Sequence, residues 1–165
     1  MTVLAARVNA QSATFLDYHT TVPSTWTTRA PSSSSRLGEY VVPASSAGPS
    51  AEVVVYFFGA RMGGNVDANV ARWRDAFTNG GVGPTFEKIS RDSTGAFPIT
   101  YAEFHGTYRR GIGAGSADSV RAGQALIASI VETSKGALFI QIFGPEGRVV
   151  AERETFMKFV KGLEP

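Results

Sequence analysis

Two short pairs of residues hold most of the chemistry that could serve a reaction. Asp17-x-His19 and Glu103-x-His105 each set a carboxylate and an imidazole two positions apart. On a strand, that spacing puts both side chains on one face. If the two strands were neighbours, the four groups would converge on a hard or intermediate metal ion. A small metal-binding protein or enzyme using Asp17, His19, Glu103 and His105 is therefore one expectation. The plainer one is two surface or hydrogen-bonded histidines, each steadied by a nearby acid, because spacing alone does not bring strands together.

A second candidate is the glycine-rich turn Gly59-Ala60-Arg61-Met62-Gly63-Gly64-Asn65. Glycines ahead of a helix can present free backbone N–H groups to an anion. Arg61, Gly63, Gly64 and Asn65 are the residues such a ligand would meet. The turn lacks the G-x-x-x-x-G-K-[ST] spacing of a phosphate loop, and Arg61 alone is a thin clamp. The structural alternative is that the glycines adopt positive φ in a sharp strand-to-helix turn, which is what the sequence favours. Gly111-Ile112-Gly113-Ala114-Gly115 misses the G-x-G-x-x-G spacing and precedes a strand pattern, so it is read as a loop and not as a dinucleotide site.

Other chemistry finds no footing. There is no Cys among the 165 residues, which removes thiol nucleophiles, disulfides and cysteinyl zinc sites. No G-x-S-x-G elbow is present, nor S-x-x-K in a suitable context. No catalytic residue and no cofactor is assigned. Sixteen basic against fourteen acidic residues give a net charge of +2. The cations are dispersed, so no phosphate track for nucleic acid is expected. No apolar run reaches the ~20 residues that span a bilayer. Residues 1–12 read as a residual signal-like segment or a frayed end. Val8-Asn9-Ala10 resembles the small-x-small end of an export signal, which favours a periplasmic or exported protein.

The elements that must position these groups follow from pattern. With 43% hydrophobic and 18% charged residues the chain is globular, and 13–165 is read as a single domain. Strands are expected over 14–22, 36–42, 52–58, 85–90, 99–109, 125–133 and 137–143. The run Glu-Val-Val-Val-Tyr-Phe-Phe at 52–58 and both alternating sets of 125–131 are largely apolar, so these strands are covered on two faces. A helix is expected over 65–77, with Asn65 as N-cap and Val66, Val70, Trp73 and Phe77 as its buried stripe. A second is expected over 149–162, with Phe156, Val160 and Leu163 inward. Trp73 is assigned to the core and Trp26 to a sheet edge. About seven strands and two helices imply an antiparallel sheet with helices packed on its faces. A closed barrel is the alternative, and two amphipathic helices argue against it.

One pattern runs through most of the chain. It comprises Val22-Pro23-x-x-Trp26, Arg36-Leu37-x-x-Tyr40-x-x-Pro43, Phe57-Phe58-Gly59-x3-Gly63-Gly64-x4-Asn69-x2-Arg72-Trp73, Gly106-Thr107-Tyr108 and Phe143-Gly144-Pro145. It resembles a bacterial family of uncharacterised, often exported proteins that look similar to the PsbP-like α/β/α sandwiches. The resemblance implies an α+β fold with a sheet of about six to seven antiparallel strands flanked by helices. It makes Trp26, Gly59, Asn69, Arg72 and Trp73 structural motif residues. The function it implies is a non-catalytic binding or accessory module for an unknown protein or small ligand, acting as a monomer or small oligomer. Asp75 stands where relatives commonly carry Gln, so a role for that amide does not carry over.

Overall fold

The structure is a computed structural model that describes residues 10–109 and 120–165. Its elements are β1 (Gln11–Phe15), β2 (Tyr18–Val22), β3 (Thr27–Arg29), β4 (Arg36–Val42), β5 (Ala51–Tyr56), α1 (Val66–Ala76), β6 (Phe86–Asp92), β7 (Ile99–Arg109), β8 (Val120–Thr133), β9 (Gly136–Pro145) and α2 (Glu146–Lys161). Seven strands form one antiparallel sheet in the order β3-β4-β5-β9-β8-β7-β6. β1 and β2 make a separate two-stranded sheet. The glycine run 111–115 and nearly all of the expected leader lie outside the described residues, although Gln11 and Ser12 already belong to β1.

The middle of the large sheet carries two apolar faces, and each face explains one helix. On β8 and β9, residues Ala125, Ile127, Val131, Leu138, Ile140 and Ile142 point to the side that holds Val149, Phe156, Phe159 and Val160 of α2. The intervening Leu126, Ala128, Ile130 and Phe139 point to the side that holds Val70 and Trp73 of α1. Buried apolar surface on both faces leaves neither helix dispensable. The sheet stays open, with β3 and β6 as its edges, so the barrel alternative is not adopted.

Local signals place both helices. Asn65 caps α1, its Oδ1 accepting from the Ala68 N–H at 2.8 Å, and Asp67 lies in the first turn where the helix dipole favours it. α2 begins three residues before the expected start. Pro145 occupies the cap position and Glu146 the first turn, so the Gly-Pro-Glu-Gly stretch opens a helix instead of a free turn. Gly147 is required there by packing: a Cβ would lie 2.6 Å from the Ala47 carbonyl oxygen.

The first expected strand, 14–22, is corrected to a hairpin. Leu16 adopts φ 60, and a two-residue turn at Leu16–Asp17 reverses the chain between β1 and β2. The pair packs beside the C-terminal end of α2, on the same side of the sheet. Phe15, Tyr18 and Val22 are buried with Phe159 and Leu163. The Thr20 hydroxyl donates to the Phe159 carbonyl at 2.7 Å, and His19 and Glu164 exchange backbone hydrogen bonds of 2.8 and 2.9 Å. The hairpin and α2 thus share one side of the sheet, with Phe15 against Gly38 of β4 and the Tyr18 hydroxyl 3.1 Å from that of Ser134, and α1 lies on the other side. Trp26, expected at a sheet edge, is 6% exposed and packs on Tyr40 and Phe159, with its Nε1–H donating to Glu152 at 2.7 Å.

Gly63 shows how tightly the turn into α1 is specified. Its φ is +100, and a Cβ would stand 2.8 and 2.9 Å from two ring atoms of Phe139. Gly63→Ala is expected to cost about 2–4 kcal/mol in urea unfolding, above the ~1 kcal/mol of an unconstrained glycine change. Phe139→Leu in the same chain relieves the ring contact but not the backbone strain. The two losses should therefore sum to more than the double variant loses.

Candidate functional site

Among the described residues, α1 covers the β7 and β8 part of its side of the sheet and leaves part of the β4–β5 end open. The result is a groove of about 600 Å³ between the helix and the β3–β4 arm. Val54 of β5, Leu126 of β8 and Gln141 and Phe143 of β9 form its floor. Trp73 and Ala76 supply the helix wall, and Tyr56 and Tyr108 add two more aromatic rings. Arg29, Arg36 and Arg121 stand around it with a single carboxylate, Glu52. The volume falls in the range of small-molecule sites, and the mixture of aromatic walls with few polar groups is typical of them.

The polar groups of this groove are held in place from behind. Glu39 of β4 is 4% exposed and accepts from the Ser32 hydroxyl (2.6 Å), the Ser32 N–H (2.8 Å) and the Arg36 guanidinium (3.1 Å). The Ser32 hydroxyl above all, then the Ser32 N–H and Arg36, keep its carboxyl below the usual pKa despite burial. Arg36 is thereby oriented over the Tyr56 ring, 5.3 Å from its centroid. Glu52 pairs with Arg29 and lies 3.8 Å from Arg36. Burial pushes the Tyr56 hydroxyl above its ordinary pKa, so a neutral phenol faces the groove.

The residues singled out in the sequence fall in three places. The glycine turn borders the groove through Phe58, which stacks on Tyr56 at 5.7 Å. Within the turn, the Asn69 amide donates to the carbonyls of Gly63 (2.6 Å) and Asn65 (2.9 Å) and accepts from Arg72 (2.5 Å). Asn69 is 1% exposed, so this one side chain ties the turn to the helix. Gly59 has φ 114 and Gly64 φ 77, and Arg61 is exposed.

Glu103 and His105 lie on the opposite side of the sheet, beneath α2. His105 Nε2 is 2.6 Å from Glu103 Oε1, and its Nδ1 is 3.1 Å from Glu146 Oε1. Arg153 of α2 donates to both Glu103 oxygens, with Nε at 3.0 Å from Oε2. This knot clamps α2 to β7.

Asp17 and His19 are elsewhere. Asp17 occupies the hairpin turn and pairs with Lys135, while His19 Nδ1 meets the Thr14 hydroxyl at 2.9 Å. The expected shared strand face does not exist at this pair, because the chain turns between residues 15 and 18. β2 also belongs to a different sheet from β7, so the four groups do not converge. Among the described residues no group of three or more His, Asp and Glu is arranged to hold a metal ion.

The groove residues were missed in the sequence reading, yet a signal for them exists. Glu52 and Gln141 are polar interruptions on one face of otherwise apolar strands. A polar residue in a central strand marks a face that no element covers.

Comparisons with known proteins agree with this architecture. No family model matches the chain, and no curated protein does. Solved structures do. The chain has the PsbP-like fold: it is similar to the solution structure of cyanobacterial PsbP (CyanoP) from Synechocystis sp. PCC 6803, with a TM-score of 0.55 and 11% identity. The match covers 99% of this chain and 96% of that one. Identity at this level speaks for the fold alone.

Two outcomes follow from the clamps. Asn69→Ala leaves the Gly63 carbonyl and the Arg72 guanidinium without this partner, while the Asn65 carbonyl keeps the Asn69 N–H, and should lower unfolding stability by about 1–3 kcal/mol. Burial raises the Glu103 pKa, but the bonds from Arg153 and His105 outweigh it and hold the carboxyl below its ordinary 4.5. A depressed carboxyl stabilises the fold above its unfolded pKa and stops doing so as pH falls through the folded value. Wild type should therefore lose stability below about pH 4.5 more steeply than Glu103→Gln, as read by urea unfolding across pH 2–6.

Proposed function

We propose that the protein is a non-catalytic binding domain that uses the groove beside α1 to hold a small ligand. The observation that carries this reading is the groove itself: about 600 Å³, walled by Trp73, Tyr56 and Tyr108 on an apolar floor of Val54, Leu126 and Phe143. Its chemistry speaks for holding and not for reacting. Glu52, the one carboxylate in the lining, is engaged by Arg29 and Arg36. The two histidines belong to other parts of the molecule, one under α2 and one on the β1–β2 hairpin. Arginines, tyrosines and glutamines orient a ligand without cleaving it. The fold shared with cyanobacterial PsbP supports an accessory role in this reading.

The test uses N-phenyl-1-naphthylamine, a neutral aromatic probe that fluoresces on entering an apolar site. It should bind saturably, with quenching or energy transfer at Trp73 measured in a Trp26→Phe background. Gln141→Trp places an indole on the groove floor and should abolish that binding while the protein still melts cooperatively. Equal binding by Gln141→Trp, or no binding by wild type, would defeat the reading.

A further inference from the structure

The three guanidiniums around the groove face one carboxylate, and two of the three are already turned toward that carboxylate. Arg36 is the best placed. Its outer side lies on the Tyr56 ring, and its anchor, Glu39, is buried and saturated by Ser32. The side chain is 25% exposed, so the guanidinium is fixed and still reachable. A cation that is already ordered loses little entropy when it binds an anion, and its planar fork suits a carboxylate, sulfonate or phosphate. Arg121 stands on β8, three strand spacings from β4 in the order β4-β5-β9-β8. At ~4.8 Å per strand the two cations belong to walls about 14 Å apart. Between them run Val54, Gln141, Phe143 and Leu126. That is room for an organic body, not for an inorganic ion alone.

We infer that the occupant is an amphiphilic organic anion: a planar or apolar body lying along the floor and the Trp73 wall, with an acidic headgroup received by Arg36 and drawn in by Arg121. The inference rests on the groove being the binding site. It adds the charge of the ligand and the residue that reads it. Glu52 contributes selectivity. It balances Arg29, so the headgroup competes for Arg36, which Glu52 meets only at 3.8 Å. A cationic ligand would face the guanidiniums unscreened.

The experiment compares two probes with one skeleton. 8-Anilinonaphthalene-1-sulfonate carries a sulfonate, and N-phenyl-1-naphthylamine does not. Wild type is expected to bind the sulfonate about tenfold tighter or more, with the preference shrinking as salt rises. Arg36→Gln should bring the ratio close to one, its loss of sulfonate affinity exceeding any change for the neutral probe about tenfold. Arg121→Gln, at an exposed position, should lower the ratio by a smaller factor without touching the fold. Arg36→Lys keeps charge but not the planar fork, and should recover only part of the preference. If wild type binds both probes equally, or if neither arginine substitution changes the ratio, the charge assignment is wrong and the groove remains a neutral site. If a fluorescein-labelled polyglutamate binds more tightly than the sulfonate and depends on the same arginines, the occupant is an acidic peptide and the small-molecule inference is overturned. If Gln141→Trp binds the sulfonate as well as wild type does, the probe sits elsewhere and both readings fall.

Discussion

One helix cannot cover one side of a seven-stranded sheet, and most of what is distinctive here follows from that. Six spacings of ~4.8 Å make the sheet about 29 Å wide, while a helix with its side chains is ~10–12 Å across. α1, with 11 residues, seats Val70 and Trp73 against Ala102, Phe104 and Leu126, and there its reach ends. Beyond it the face of β5 and β9 turns polar at Glu52 and Gln141, as a surface in contact with water must. The groove is the boundary between these two regimes. It needs no special loop to exist, only a helix narrower than the sheet it serves.

The other side of the sheet solves the same problem differently. α2 is longer, 16 residues, and the β1–β2 hairpin lies beside it on the sheet, so aromatic packing extends from Phe15 through Phe159 to Tyr40. Several polar groups enclosed there are matched to one another, although the buried Tyr101 hydroxyl finds no partner among the described residues. Trp26 donates to Glu152, Glu152 accepts from Arg148 at 3.0 Å, and Arg148 reaches the Pro43 carbonyl at 2.7 Å. Such a chain is costly to break at any link, because each remaining member would be buried without a partner. One side is therefore closed and interlocked, and the other open with its cations standing at the rim.

Much of this architecture is legible in the residues. The doubly apolar pattern of 125–131 and 137–143 announces central strands, and Arg36–Val42 begins and ends where its sequence indicates. Asn65 and the Val66, Val70, Trp73, Phe77 stripe define α1 almost to the residue. The hairpin was not legible, because its turn uses Leu16 at φ 60, where Gly or Asn is the usual signal. The early start of α2 was hidden for a related reason: Gly147 reads as a turn residue, but its true constraint is the approach of Ala47 from a loop a hundred residues away in sequence. The groove stayed hidden because it is assembled from seven elements, and no local window contains it. Attention fell on Asp17, His19, Glu103 and His105 because local spacing is what a sequence displays. Here that spacing serves a turn and a helix clamp.

The long-range bonds that fasten the hairpin also fix an order of events. Trp26 meets Glu152 across 126 residues of chain, and Thr20 meets Phe159 across 139. A chain growing from its N-terminus carries Phe15, Tyr18, Val22 and Trp26 without cover until α2 has been synthesised. The first apolar surface to appear is the last to be buried. Throughout its synthesis the nascent chain thus presents a sticky N-terminal segment, a natural handle for a chaperone and a point of risk for aggregation.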